Sequence, residues 1–334
     1  MWGTLKVIGG TLALFYAWAW YRHRHVTRTG QLVQKQYKNG LKLTSLGGDY
    51  GTAFVYKEIF EDKVYFKHGI TLENVAAPVV VDIGADIGFF TRFIVETFPK
   101  AVIFAAEPVP LLVNAIRRNI VGFEDRVHLH QVGIGSQGGT AKFDFDTSVS
   151  IGTSMCHDEV YKNAELHRVV AWTRAGLLDM IESGNLPEQP TRTICDLLNH
   201  PVLGYIVFIL LIPVMIVLTV YNLAAPQTKF MVECPIRRLD EFLFDMCKAD
   251  RSKLKRIDLM KIDVEGAEWA VIQSMSQETW DMVQQIVIEV HDIDGRIQKV
   301  KDLLKQKGFK HIVEDAEDWE SHKLLKMSSL FARR

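Results

Sequence analysis

The stretch APVVVDIGADIGFFTRFIVETF, residues 77–98, constrains the fold more than any other part of the chain. A short β-branched run, Val79 to Val81, meets a glycine turn and then an amphipathic helical pattern. This is the strand, tight loop and helix order in which backbone can close around a nucleotide. Gly84 and Gly88 remove side chains where backbone approaches a ligand, and the next helix offers free N–H groups and the positive end of its dipole. Asp82, Ala85 and Asp86 complete the loop, with Asp82 placed to hold ligand polar groups or the loop itself.

A second strand, AVIFAAEPVP, ends in Glu107, about as far along as a carboxylate that grips both hydroxyls of a ribose should be. Glycine turns and an occasional acid at a strand end also occur in doubly wound proteins that bind no nucleotide. The spacing narrows the choice, because the loop departs at position 86 from the G-x-G-x-x-G of dinucleotide enzymes. A nicotinamide-dependent enzyme is therefore the weaker of the two nucleotide readings.

The loop D-x-G-A-x-x-G resembles the first motif of class I S-adenosylmethionine-dependent methyltransferases. Together with EPVP (107–110) and KIDVEGAE (Lys261 to Glu268), it is similar to the FkbM family of those enzymes. The resemblance covers roughly residues 50–150 and 230–334. It implies a mostly parallel, doubly wound Rossmann-like α/β sheet whose last strand is antiparallel. It also implies S-adenosyl-L-methionine as cofactor and methyl transfer to an acceptor hydroxyl. The expected cofactor-binding residues are Asp82, Gly84, Ala85, Asp86, Gly88 and Glu107, with Gly133 and Ile134 beside the adenine. Asp86 stands where the family commonly has Asn, and Ser136 where an acid is frequent.

The acceptor's proton needs a receiver at the carboxyl ends of the strands, where open α/β sheets place ligands. Asp263 and Glu265 follow the strand in LMKIDVEG, and Glu268 opens the next helix. In QIVIEVHD, Glu289 and His291 are two residues apart and share a face. His291, with an ordinary pKa near ~6.5, is a candidate general base. Asp263, Glu265 and His291 are thus the catalytic candidates. Asp263, Glu289 and His291 have no diagnostic metal-ligand spacing, and no metal is expected.

A formal net charge of −1 and the lack of a basic stripe argue against nucleic acid as a partner. Four dispersed cysteines form neither a metal motif nor a disulfide framework. The acceptor class is open: a small molecule, a lipid or a glycan.

Two apolar runs add the membrane as a partner. Val7 to Tyr21 is aromatic-rich near its end and is followed by Arg22, Arg24 and Arg28. That pattern predicts an N-terminal transmembrane anchor over residues 1–28, with the rest of the chain cytosolic; a signal or organellar targeting peptide is the rival. Residues 29–70 read as linker and cap, and 71–334 as the methyltransferase domain, interrupted by a hydrophobic helical insert at 191–228. Within it, YIVFILLIPVMIVLTVY (205–221) carries no charge. A single crossing at 202–221 would separate the two halves of the site. The segment is therefore a re-entrant or peripheral anchor, a packed helix, a translated intron, or a true span that marks a tethered, inactive binding protein.

Overall fold

The computed structural model describes residues 30–37, 39–47, 49, 51–147, 150, 174, 177–178, 188–209, 229–246, 254–316 and 327–334. The expected N-terminal anchor, and residues 210–221 of the apolar insert, lie outside them. Among the described residues no helix is long and apolar enough to cross a membrane.

The central sheet has seven strands. In chain order, an N-terminal hairpin of β1 (Leu32–Gln36) and β2 (Lys42–Leu46) and a short helix α1 (Gly51–Tyr56) precede it. The glycine-loop unit follows as β3 (Val79–Ile83) and α2 (Phe89–Thr97), then β4 (Val102–Ala106), α3 (Pro110–Asn119) and β5 (Val127–His130). The carboxy-terminal half adds β9 (Leu259–Ile262), β10 (Gln285–His291), β11 (His311–Asp315) and β12 (Met327–Arg333). Their spatial order is β11-β12-β10-β9-β3-β4-β5. Strands β10, β9, β3, β4 and β5 run parallel, and β12 is antiparallel to both neighbours. This is the doubly wound sheet with an inserted antiparallel last strand that the sequence implied.

Why both faces are covered is visible in the strands. Val80, Ile103 and Leu259 join one buried cluster with Phe90, Ile94 and Leu112. Their neighbours Val81, Phe104 and Met260 point the other way, into a cluster with Phe242, Trp280 and Val300. Successive residues alternate faces, so near-continuous apolar strands need helices on both sides. Burying each such side chain contributes roughly 1.5–3 kcal/mol. The amino-terminal hairpin belongs to the first cluster through Leu43 and Leu46.

A smaller sheet, β6 (Gly133–Ile134), β8 (Lys229–Arg237) and β7 (Gly139–Asp146), sits beside the main one in the order β6-β8-β7. Strands β7 and β8 pair antiparallel from Gly139↔Ile236 to Asp146↔Lys229. Asp146 and Lys229, between which the insert lies, are therefore partners at one end of one ladder. A connection of this kind can be long or short without changing the sheet order. Within it, helix α4 (Glu188–Leu198) packs through Ile194 and Leu198 on Phe208, which lies in a helical turn at 203–209. That turn leaves Val202, Leu203, Ile206 and Ile209 exposed.

At Gly84 the two halves touch most closely. Its φ is +79°, and a Cβ there would stand 1.7 Å from the backbone oxygen of Asp263. Gly88 also has φ +79°, and its Cβ would press on Ile116 at 2.9 Å. Gly84→Ala should destabilise the fold by more than the roughly 1–3 kcal/mol of positive φ alone, read as a lower urea midpoint. A midpoint within error of wild type would show that the loop does not need this approach.

Candidate active site

The first half of the site is built at the ends of β3 and β4. Asp82 is fully buried; its Oδ2 accepts the Thr91 hydroxyl at 2.7 Å, and its Oδ1 lies 3.4 Å from the Lys261 ammonium. Asp82 thus ties helix α2 to β9 beside the loop. Burial raises its pKa, and Lys261 opposes that.

Glu107 directly follows β4. Its two oxygens accept the backbone N–H groups of Asp86 and Val109, both at 2.9 Å, so it ties the glycine loop to the turn after β4. Burial pushes its pKa up to about 8. Asp86 sits at φ +47° with both carboxylate oxygens shielded, and the Ile87 N–H and the Ser150 hydroxyl lie close enough to act on it. Burial, and then the nearby Asp49, push Asp86 to about 7. Asp49 is itself buried, accepting Gly51 N–H at 2.9 Å and the hydroxyls of Thr52 and Ser150 at 3.1 and 2.8 Å. Ala85 is buried in the first apolar cluster.

Gly133 and Ile134 form β6 and pair with Ile236 and Arg237. Val132 N–H donates to the Glu107 carbonyl at 3.1 Å, which places this strand next to the Glu107 turn. The Ile134 side chain is buried in the second cluster, so only its backbone can face a ligand from this strand.

The second half surrounds β9. Lys261, inside the apolar strand, donates to the Gly84 carbonyl at 2.9 Å and lies 3.2 Å from Asp263 Oδ2. Burial alone would deprotonate it, but Asp263 and Asp82 outweigh that and hold its pKa above the usual lysine value. The Tyr65 hydroxyl donates to Asp263 Oδ2 at 3.1 Å. Sequence reasoning gave Lys261 and Tyr65 no role. The signal for Lys261 was present: a lone lysine in LMKI must find carboxylates if it is buried.

His291 needs a correction. Its Nδ1 is 2.8 Å from Glu268 Oε1, its Nε2 is 3.4 Å from Glu265 Oε2, and it is 1% exposed. Burial disfavours the imidazolium, yet Glu265 and Glu268 prevail and raise the pKa to about 10. The ordinary value on which the general-base role rested does not apply here. Paired with both carboxylates, His291 positions Glu265 and Glu268. Glu268 is fully buried and also accepts Gly266 N–H at 2.6 Å and Arg296 Nη1 at 2.8 Å, so it anchors the turn rather than facing a substrate. Asp263 and Glu265 remain half-buried at the strand ends.

Residues 225–311, which contain this second half, match the Methyltransferase FkbM domain. The chain is 27% identical over 282 residues to "Methyltransferase 1" of Beauveria bassiana, covering 84% of this chain and 89% of that protein. It is 26% identical to the 31-O-demethyl-FK506 methyltransferase FkbM of Streptomyces tacrolimicus, over 78% and 83% of the two. The chain is similar to FkbM methyltransferases. Among solved structures, the METTL16 methyltransferase domain aligns over 95% of this chain and 91% of that one, at 9% identity and a TM-score of 0.40. Likeness that loose carries no argument, and the fold rests on the chain's own strand order.

The ion pairs of His291 give a pH test. Its folded pKa lies above the ordinary 6.5, so its stabilisation is complete below pH 6.5 and is lost as pH rises towards about 10. The melting-temperature gap between wild type and His291→Gln should shrink steadily across that window. A gap that stays constant would mean that His291 does not hold its proton.

Proposed function

We propose that this methyltransferase uses S-adenosyl-L-methionine to methylate an acceptor hydroxyl at a membrane surface. The observation that carries the cofactor reading is the sign of the charge around the glycine loop. Asp82, Asp86, Glu107, Asp49 and Asp263 converge there, with Lys261 as the cation shared by Asp82 and Asp263. Carboxylates that burial keeps partly protonated ionise more readily beside a positive charge, so the site favours a positively charged ligand. A sulfonium cofactor with an ammonium group fits this field. The pyrophosphate of a nicotinamide dinucleotide would meet repulsion instead.

When bound, the cofactor supplies an activated methyl group. The chain's own residues hold Gly84 and Asp263 in contact, present Glu107 to a ribose, and leave Gly133 backbone for the adenine. An acceptor hydroxyl held at the strand ends would receive that methyl group. The hydroxyl proton then goes to a carboxylate at the strand ends, for which Asp263 and Glu265 are placed.

The membrane part rests on the N-terminal apolar run with its arginines, and on the exposed Val202, Leu203, Ile206 and Ile209 that lead into the uncharged segment. It favours a lipid or membrane-associated glycan as acceptor, with the site on the cytosolic side. An inactive, tethered binding protein would bind the cofactor without turnover.

Calorimetry on the full chain should show S-adenosylmethionine binding and no NADH binding. Glu107→Ala should weaken the former by about 1–3 kcal/mol. NADH binding, or unaltered affinity in the variant, would sink the cofactor assignment. Asp263→Asn should cut turnover while cofactor affinity holds, and full activity would remove Asp263 from the site.

A further inference from the structure

The geometry points to Tyr65 as a positioning residue that fixes which oxygen of Asp263 meets the acceptor. Its hydroxyl and the Lys261 ammonium hold Oδ2, and Oδ1 is left to the site. The inference rests on the methyl-transfer reading above and adds to it a residue from outside the central sheet. Tyr65 belongs to the stretch that reads from sequence as linker and cap, so no motif brings it to the strand ends.

The carboxylate carries the first half of the argument. The Tyr65 hydroxyl donates to Asp263 Oδ2 at 3.1 Å, and the Lys261 ammonium lies 3.2 Å from the same oxygen. Among the described residues, no hydrogen bond or ion pair of Asp263 reaches Oδ1. The side chain is 23% exposed, and Oδ1 is not sealed from solvent. The last torsion of an aspartate is soft and roughly two-fold, so a carboxylate left alone turns easily. Tied at one oxygen from two directions, it presents the other in one place. A group that receives a proton must stand within about 2.6–3.2 Å of its donor, and a misplacement of ~1 Å can cost ~10²-fold in rate.

Of the two groups on Oδ2, the tyrosine supplies the direction. Lys261 has a flexible stem and divides its ammonium among the Gly84 carbonyl, Asp82 and Asp263, so it gives charge more than aim. Tyr65 is rigid and buried. Its ring meets Phe90 edge-on at 5.0 Å, and the Lys261 ammonium stands 5.3 Å from the ring centre. Phe66, the next residue, packs on Phe93 and Phe98 at 5.7 and 6.0 Å, which fastens the turn to α2.

The backbone around Tyr65 is equally fixed. The single 3-10 turn Val64–Phe66 is entered through Lys63 at φ +50° and followed by His68 at φ +53°. Non-glycine residues keep such angles only where the surroundings over-determine them. Further on, Thr71 exchanges two hydrogen bonds with the Gln285 side chain at the start of β10, at 3.0 and 2.8 Å. Packing alone would need only the ring, which a phenylalanine supplies. The hydroxyl is the part that packing does not explain, and it is aimed at a carboxylate of the site. In the reaction the proton moves from the acceptor's O–H to Oδ1, and Tyr65 keeps its own.

The test uses the full chain labelled with fluorotyrosine, with Tyr65→Phe, Asp263→Asn and the double variant. The fluorine resonance missing from Tyr65→Phe belongs to Tyr65, and it should shift in Asp263→Asn, where a neutral amide replaces the charged acceptor. Methyl transfer is read with tritiated S-adenosylmethionine and phosphatidylcholine vesicles carrying glucosylceramide as the hydroxyl probe. Tyr65→Phe should lower kcat about tenfold or more while KM and the calorimetric cofactor affinity hold. Added to Asp263→Asn it should lower kcat no further, because the two residues act as one unit. Full turnover by Tyr65→Phe overturns the proposal, as does an equal further loss in the Asp263→Asn background. A Tyr65 resonance indifferent to Asp263→Asn overturns it too. Cofactor binding without any methyl transfer by the wild type would count against the membrane-hydroxyl reading instead. The fluorine resonance then decides the positioning claim by itself: a shift supports it and no shift overturns it.

Discussion

One buried ammonium holds the two halves of this protein's site together. Lys261 reaches from β9 to the Gly84 carbonyl of the loop after β3, and lies between Asp82 and Asp263. Those segments are far apart in sequence, and without the lysine two carboxylates would face each other in a poorly solvated space. Removing one partner of such a buried pair typically costs ~3–5 kcal/mol. Gly84 is the steric counterpart of that interaction, since only a residue without Cβ lets the Asp263 backbone approach so closely. The glycine loop is thus held by chemistry at its back.

Much of the fold was legible. Alternation within VVVDI, VIFAA and LMKI, each next to a turn signal, sets parallel strands buried on both faces, and Gly308 follows the helix α8 (Arg296–Gln306) as its pattern requires. The smaller sheet was not legible. Gly133 and Ile134 read as a loop past the adenine, and their pairing with Ile236 and Arg237 joins segments separated by the whole insert. That ladder also answers how an apolar stretch can interrupt a domain without splitting its site: β7 and β8 are partners whatever lies between Asp146 and Lys229.

The site was legible in position more than in role. Asp82 was read from its strand end as holding a ligand or the loop, and Glu107 as gripping a ribose; both also engage the chain itself, through Thr91 and Lys261 in one case and the N–H groups of Asp86 and Val109 in the other. His291 shows the limit most clearly. A strand-end histidine looks like a base, yet its proton depends on Glu265 and Glu268, whose approach follows from tertiary packing. The approach of Tyr65 to Asp263 is of the same kind, because sequence separation conceals what tertiary packing brings together.

The central claim is that the glycine loop, the Glu107 turn and the β6 backbone form one cofactor surface. Hydrogen–deuterium exchange of the full chain, with and without S-adenosylmethionine, tests it most directly. The account predicts slower exchange on adding the cofactor in peptides covering 84–88, 107–109 and 132–135, with little change in β11 and β12. Protection confined to other regions, or none at saturating cofactor, would contradict it.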